Sequence, residues 1–238
     1  MKIIVDLCNQ HHGSLSELKR MTLNSFLSGA DAVKIQLMDS ESLLKTKEKK
    51  YRDISYKDAF ELSKYCDDVG IEFMASVFDE ERFYWLDDLG VKTHKIASRT
   101  SKQDRGLSEL ILSDGKPTII STGMHDFAEF PYGHGDNIKY LFCVSKYPTY
   151  IDDEKLALMP YFKRPGYLGY SDHTIGIGAA LRAYSRGATI LEKHFSNNAS
   201  SQTKLEGGHL GSFNKKSLRQ FVNIVKQLEI MEHCSEFN

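Results

Sequence analysis

The sequence of 238 residues is poor in cysteine, in long apolar runs and in net charge. Its four cysteines, Cys8, Cys66, Cys143 and Cys234, are far apart and form no CxxC pair, which argues against a zinc knuckle or a redox pair. No apolar stretch is long enough to span a bilayer, and the N-terminus becomes polar too soon for a signal peptide. The formal net charge of −1 gives no electrostatic reason to expect nucleic acid or an anionic membrane as a partner. We therefore expect a protein of the reducing cytoplasm that binds neither.

What the sequence does contain is a regular alternation of short β-rich runs and amphipathic stretches. Several of the β-rich runs are almost wholly apolar, as is typical of parallel strands that are covered on both faces. Eight strands are predicted: Ile3–Cys8, Ala32–Leu37, Glu72–Val77, Thr93–Ser98, Pro117–Thr122, Lys139–Ser145, Tyr167–Ser171 and Ile190–Phe195.

Helical spacing of apolar residues predicts helices between and after these strands, over Leu15–Leu27, Tyr56–Val69, Glu80–Leu89, Leu107–Ser113, Asp153–Phe162, Ile177–Arg186 and Lys215–Glu232. The crossover Met124–Asn137 contains Pro131, Gly133 and Gly135, so a loop or a single turn is expected there. Strict strand-then-helix order with eight strands predicts an α/β protein, a closed (β/α)₈ TIM barrel, as a single domain over residues 1–238. An open doubly wound sheet is the competitor, but CNQHHGS rather than a glycine-rich phosphate loop follows the first strand.

Polar residues gather at the C-terminal ends of the predicted strands, where a TIM barrel carries its active site. They include Asp6, Lys34, Gln36, Ser76, Lys95, Ser98, Ser121, Ser145 and Ser171. Lysine charge and small hydroxyl donors suit a phosphate or a carboxylate, so the set predicts an anion site. Lys34 and Lys95 leave two alternatives open: a Schiff-base role, or pairing with a neighbouring carboxylate such as Asp6.

Two histidines, His173 and His194, end the seventh and eighth strands, which are neighbours in a barrel. Adjacent strands could place both imidazoles on one divalent metal ion, but spacing alone favours a structural role equally. Asp172 and Glu192 are interpreted as facing away from the histidines, as helix caps or supporting partners.

The assembled motifs resemble the N-acetylneuraminate (sialic acid) synthase family. The matching stretches are DLCNQHHGS, GADAVKIQL, KIAS, GKPTIISTGM, FCVSKYPT, GYSDHTIGIG and GATILEKHF, in the family's order from Ile3 to Phe195. Members of that family join phosphoenolpyruvate to an amino-sugar aldehyde, release phosphate and form a nonulosonic acid. They use a divalent metal, typically Mn²⁺.

Carried over to this sequence, the resemblance implies that His173 and His194 are the metal ligands, with Mn²⁺ preferred and Mg²⁺ as the alternative. It assigns Lys34, Ser76, Lys95, Ser98, Ser121, Ser145 and Ser171 to phosphoenolpyruvate and brings Tyr147 towards the sugar. Asp6 stands where the family has a glutamate and becomes a candidate acid or base, and Lys34 and Lys95 join it as candidate catalytic residues. Gln36 completes the substrate-binding set.

Departures from the family concentrate on the sugar side. Arg99-Thr100 replaces an acidic neighbourhood, and Glu206-Gly207-Gly208-His209 stands where the family has GPDH. The resemblance covers only the catalytic barrel, without the family's C-terminal antifreeze-like domain. We therefore expect the same condensation on a sugar aldehyde that the sequence does not specify. A homodimer is a possible assembly. The alternatives are a lysine Schiff-base aldolase and a non-catalytic binding or regulatory paralogue.

Overall fold

Eight parallel strands close into a barrel in the computed structural model, which describes residues 1–198 and 210–235. The strands are β1 (Lys2–Asp6), β2 (Ala32–Leu37), β3 (Glu72–Val77), β4 (His94–Ile96), β5 (Thr118–Ser121), β6 (Ile138–Cys143), β7 (Tyr167–Asp172) and β8 (Ile190–His194). Each strand pairs with the next one along the chain, and β8 closes the barrel against β1, where Asp6 lies opposite His194. The predicted (β/α)₈ barrel is confirmed, with every predicted strand in its place.

The helices lie outside the strands as α1 (Leu15–Leu27), α2 (Ser40–Leu44), α3 (Tyr56–Val69), α4 (Glu80–Phe83), α5 (Ser98–Gln103), α6 (Arg105–Ser113), α7 (Glu154–Ala157), α8 (Gly178–Ser185) and α9 (Lys215–Ser235), with a 3₁₀ helix over Lys47–Arg52. Helix α1 begins at Ser14, whose hydroxyl accepts a hydrogen bond from the Glu17 amide, and α3 ends at Gly70 in the left-handed conformation. None of the described helices is long and apolar enough to cross a membrane.

Two predicted helices are much shorter than the sequence pattern indicated. The segment predicted over Asp153–Phe162 is helical only as α7, because Pro160 lacks an amide hydrogen and restricts the residue before it. The segment predicted over Glu80–Leu89 is helical only as α4. Beyond it, the Trp85 and Leu86 amides bond to carbonyls three residues back, which tightens the chain into turns that bury Leu86 and Leu89. Two helices, α2 and α5, were not predicted at all.

The barrel interior is divided into an apolar floor and a polar upper end. The floor is a separate cluster of buried side chains contributed by six strands: Ile4, Ala32, Met74, Ile119, Leu141 and Ile190. Gly169 on β7 belongs to the same level, and a Cβ atom there would lie 2.3 Å from the Ile190 carbonyl oxygen and 2.8 Å from Leu141 Cδ2. Glycine is therefore required at this position so that β7 and β8 can pack over the floor.

We expect Gly169→Ala to lower the free energy of unfolding by about 3 kcal/mol, because backbone rather than a flexible side chain occupies the added methyl's place. Gly106→Ala in α6 is the matched control, since its Cβ would meet nothing closer than 3.8 Å and alanine favours a helix. Urea unfolding of the two variants measures the difference. Equal stability of both would contradict the packing argument.

Candidate active site

A small cavity of about 50 Å³ opens at the C-terminal ends of the strands. It is lined by Asp6, Lys34, Gln36, Lys95, Ala97, Ser98, Ser121, Cys143, Tyr147, Ser171, His173, Glu192 and His194. This set contains all of the site residues predicted from the sequence except Ser76 and Ser145. The strand-end argument therefore located the cavity, and we call it the inner pocket.

The floor of the inner pocket is a network of buried charges. Lys34 Nζ lies 2.7 Å from Asp6 Oδ2 and 3.6 Å from Glu192 Oε1, while Lys95 Nζ lies 3.5 Å from the other oxygen of Glu192. Two ammonium groups thus face two carboxylates, and the predicted pairing of Lys34 with Asp6 is confirmed. Each of these side chains is at most 7% exposed, so the pairing is what makes their burial tolerable.

The charges in this network shift the pKa values of its buried carboxylate and ammonium groups. Burial alone would raise the pKa of Glu192, but Lys95 and Lys34, together with the Ser171 hydroxyl, lower that pKa to about 2. Burial opposes the charged form of Lys34, yet Asp6 and Glu192 outweigh it and raise the pKa of Lys34 above its usual value. The pKa of Lys95 is lowered, because burial and the Lys34 charge outweigh Glu192.

Hydroxyl groups complete the polar lining. Lys95 Nζ donates to Ser121 Oγ at 2.8 Å, and Ser171 Oγ donates to Glu192 Oε2 at 2.8 Å. Ser98 Oγ accepts a hydrogen bond from the Gly123 amide. The predicted pair Ser76 and Ser145 lies apart from these: Ser76 is opposite Lys95 in the β3–β4 register with a buried hydroxyl, and Ser145 lines a neighbouring cleft.

The sequence analysis missed three residues of the pocket lining, Ala97, Cys143 and Glu192, of which the last two carry ionisable groups. Glu192 was interpreted as facing away from His194, and this was wrong, because residues two apart on a strand share a face. The same rule places Cys143 on the inner face of β6 with Leu141 of the apolar floor. The sequence therefore contained the information that these side chains face the barrel interior, because alternate residues of a strand share a face.

The two histidines lie side by side at the mouth of the inner pocket, with ring centroids 5.4 Å apart and ring planes 23° apart. His173 Nδ1 lies 2.8 Å from the Val144 carbonyl oxygen and so donates a hydrogen to it, which leaves Nε2 as the basic nitrogen of the neutral ring. His194 Nδ1 faces Asp6 Oδ2 at 3.6 Å. A backbone carbonyl or a carboxylate on the far nitrogen is how metal-binding imidazoles are held, so the pair fits a divalent cation.

Within residues 1–198 and 210–235, no three His, Cys, Asp or Glu side chains converge as a complete metal site. A cation on the two histidines would therefore take its remaining ligands from substrate or water, as catalytic sites with open positions do. The predicted sugar-side segment Glu206 to His209 lies outside the described residues.

A second buried ion pair lies behind the histidines. Asp172 precedes His173 and Lys193 precedes His194, and Lys193 Nζ lies 2.7 Å from Asp172 Oδ2. Asp172 also accepts from the Thr174 amide and hydroxyl, and Lys193 donates to the Thr174 carbonyl. The pair ties the ends of β7 and β8 together, so Asp172 is a supporting partner, as predicted, and no helix cap.

The loop between β1 and α1 stands outside the pocket lining. His11 in this loop is buried, and its Nδ1 accepts a hydrogen bond from the Gly13 amide. Burial, with the neighbouring charge of His12, lowers the pKa of His11 to about 4. The imidazole is therefore a neutral structural element of a tight loop.

Comparison with known proteins decides the family. A family model described as the NeuB family matches residues 24–236, which is most of the chain. The chain belongs to the NeuB family. A relative from Legionella pneumophila, an N,N'-diacetyllegionaminic acid synthase, is 33% identical over 262 residues, covering 95% of this chain and 72% of its own. The human N-acetylneuraminate-9-phosphate synthase is 27% identical, with 95% and 70% covered.

Solved structures of NeuB-like proteins support the fold independently. The N-acetylneuraminic acid synthetase of Leptospira borgpetersenii, solved in complex with citrate, aligns with a TM-score of 0.80 at 24% identity. The alignment covers 96% of this chain and 84% of that one. At this identity the structural similarity shows a shared barrel fold. Membership of the family rests on the family model and on the sequence relatives.

We expect Lys193→Met to lower the free energy of unfolding by about 3 kcal/mol, because it leaves the Asp172 carboxylate buried without its cation. The double variant Asp172→Asn with Lys193→Met should lose less, since no uncompensated charge remains. Urea unfolding measures both. If the double variant were less stable than Lys193→Met alone, the pair would not be acting through its charges.

The stability of the protein should fall by about 3 kcal/mol as the pH drops from about 6.5 to about 4, because unfolding releases His11 to take up a proton that the native state excludes. This stability is fully present above pH 6.5 and is lost as the pH falls towards the lowered pKa. His11→Gln should flatten that part of the profile. An unchanged slope, measured by unfolding at several pH values, would contradict the assignment.

Proposed function

We propose that this chain is a phosphoenolpyruvate-dependent synthase that joins phosphoenolpyruvate to a sugar aldehyde, releases phosphate and forms a nonulosonic acid or a related 2-keto-3-deoxy sugar acid. The observation that carries the proposal is a preformed pocket with two lysines at its floor and two imidazoles at its mouth, in a NeuB family barrel. Its relatives are named as synthases of legionaminic and neuraminic acids.

Lys34 and Lys95 are proposed to hold the phosphate and carboxylate groups of the donor. Both ammonium groups are already stripped of water and fixed by Asp6, Glu192 and Ser121, so binding an anion requires little further reorganisation. The hydroxyls around them donate hydrogen bonds to the remaining oxygens. This arrangement holds the three-carbon donor with its methylene carbon towards the pocket mouth.

In the reaction, C3 of phosphoenolpyruvate forms a bond to the aldehyde carbon, whose oxygen takes up a proton and becomes a hydroxyl. Water adds at C2, and the tetrahedral intermediate loses phosphate to leave the keto group. Asp6 is the proposed acid or base, because its carboxylate lies in the pocket between Lys34 and His194. Its Oδ1 is held by the Cys8 amide, which fixes the carboxylate's orientation.

His173 and His194 are proposed to hold a divalent cation, Mn²⁺ or Mg²⁺, which would supply a Lewis acid for the aldehyde oxygen. The hydrogen bond of His173 Nδ1 to the Val144 carbonyl and the approach of His194 Nδ1 to the Asp6 carboxylate support this role. Two further proposals concern the cellular compartment and the oligomeric state. Cys8, Cys66 and Cys143 are free and buried, which agrees with the reducing cytoplasm as the working compartment. A homodimer stays a prediction.

Calorimetry with phosphoenolpyruvate and Mn²⁺, followed by a phosphate-release assay with sugar aldehydes, tests the function. Lys95→Met should weaken donor binding by about 10- to 100-fold, because a charged hydrogen-bond donor is lost. His194→Ala should abolish stimulation of phosphate release by metal. Lys92→Met is the control, since Lys92 is an exposed lysine outside the pocket and its loss should change neither readout. Thermal unfolding of each variant establishes that it is folded.

Failure of the wild-type protein to bind phosphoenolpyruvate in the presence of Mn²⁺ would refute the proposal. A permanent adduct with pyruvate after borohydride reduction would instead identify a Schiff-base aldolase, for which Lys95 with its lowered pKa is the better candidate. Donor binding without phosphate release from any aldehyde would identify a binding paralogue.

A further inference from the structure

A second, larger cleft of about 320 Å³ adjoins the inner pocket. The two cavities share Gln36, Ala97, Ser98, Tyr147 and His194 in their linings, so the cleft opens directly onto the mouth where the histidines lie. Its position fits the acceptor of the proposed condensation, because the aldehyde carbon has to meet the donor at that mouth. We call it the acceptor cleft.

The acceptor cleft differs from the inner pocket in its charges. In the inner pocket two lysines face two carboxylates. The described lining of the acceptor cleft contains two arginines, Arg52 and Arg99, and no Asp or Glu. The cleft therefore presents two positive charges that its own walls do not balance.

Both arginines are available to a ligand. Arg52 is half-buried at the end of the 3₁₀ helix, with its guanidinium 5.8 Å from the Tyr51 ring centroid and a buried Nε without a hydrogen-bond partner among the described residues. Arg99 is exposed in the first turn of α5, directly after Ser98 of the inner pocket. Across residues 1–198 and 210–235 neither forms a salt bridge with a carboxylate, whereas Lys34 and Lys95 of the inner pocket both do.

The rest of the cleft wall is largely apolar, formed by Met38, Leu43, Leu44, Phe78 and Met124. A charged side chain beside such a wall is attracted more strongly to an anion than it would be in open water, because the local dielectric is lower. A guanidinium also binds phosphate and carboxylate through paired hydrogen bonds. The wall itself suits the methyl or acyl groups of a derivatised sugar.

We propose that the acceptor of this synthase is an anionic sugar aldehyde, carrying a phosphate or a carboxylate, and that Arg52 and Arg99 bind the anionic group. The inference rests on the proposed function and adds the substrate class to it. The lysines of the inner pocket are assigned to the donor, so they are not available to the acceptor. Among the described residues that line the acceptor cleft, the two arginines are the cationic side chains.

The test compares one N-acylated hexose in three forms: neutral, phosphorylated at its terminal carbon, and oxidised there to the carboxylate. Phosphate release is measured at saturating phosphoenolpyruvate and Mn²⁺. At least one anionic form should have a kcat/KM about 10- to 100-fold above that of the neutral sugar, the effect of one or two charged hydrogen-bonded contacts. Which anionic form is preferred distinguishes phosphate from carboxylate.

Arg52→Met and Arg99→Met should each lower the ratio of kcat/KM between the anionic and neutral forms by about tenfold. The Arg→Lys variants should be intermediate, because they keep the positive charge but lose the paired hydrogen-bond donors of the guanidinium. Lys50→Met is the matched control: it removes an exposed cation two residues from Arg52 and outside the cleft, and should leave the ratio unchanged. The KM for phosphoenolpyruvate should not change in the arginine variants.

Equal or better use of the neutral sugar would overturn the anionic acceptor while leaving the condensation intact. A raised KM for phosphoenolpyruvate in the arginine variants would also overturn it, by assigning the arginines to the donor. Calorimetry of the three sugars makes the test independent of turnover. The proposed function fails if no sugar yields phosphate, but the subsite can still be tested by binding. Tighter binding of an anionic form, abolished in the double variant Arg52→Met with Arg99→Met, supports the subsite. Equal binding of all three forms refutes it.

Discussion

Two ammonium groups and two carboxylates share the end of a barrel whose interior has little room for water. An isolated ion there would cost several kcal/mol even after relaxation, and removing one partner of a buried pair leaves that penalty uncompensated. Lys34 and Lys95 avoid it by meeting Asp6 and Glu192 at 3.6 Å or less. The inner pocket depends on this balance of charges, because the carboxylates stabilise the buried ammonium groups when no anion is bound. A neutral pocket of aliphatic side chains would be more stable and chemically inert.

The apolar floor below the network is the second part of the same arrangement. Ile4, Met74 and Leu141 are buried beneath the charges and close that side of the barrel with apolar side chains. Because the dielectric is low on that side, each lysine acts on Glu192 strongly enough to overcome burial and lower its pKa to about 2. Gly169 belongs to this account as well, since a side chain there would separate β7 from β8, the strands that carry Ser171 and Glu192.

The features that the sequence predicted well are those that follow from local periodicity. Strand positions came from apolar runs, and most of the pocket came from reading which residues end those strands. The failures have different physical origins. The length of α4 depends on how the chain turns to bury Leu86 and Leu89, which a helical pattern does not encode, and α7 ends early before Pro160. Glu192 was misassigned although its spacing of two residues from His194 showed that the two share a face. Its role becomes evident only once Lys34 and Lys95 are seen on either side of it.

The division of labour between strands and loops explains how one barrel can serve related products. The buried charges Lys34, Lys95 and Glu192 lie on strands, where a change in register or charge would disturb the whole network. The arginines lie on a 3₁₀ helix and on α5, outside the barrel wall, where substitution costs little stability. Relatives named for legionaminic and neuraminic acids differ by two thirds or more of their residues from this chain. Such divergence is tolerated most easily in the proposed acceptor cleft, because most of its lining lies on loops and helices outside the barrel wall.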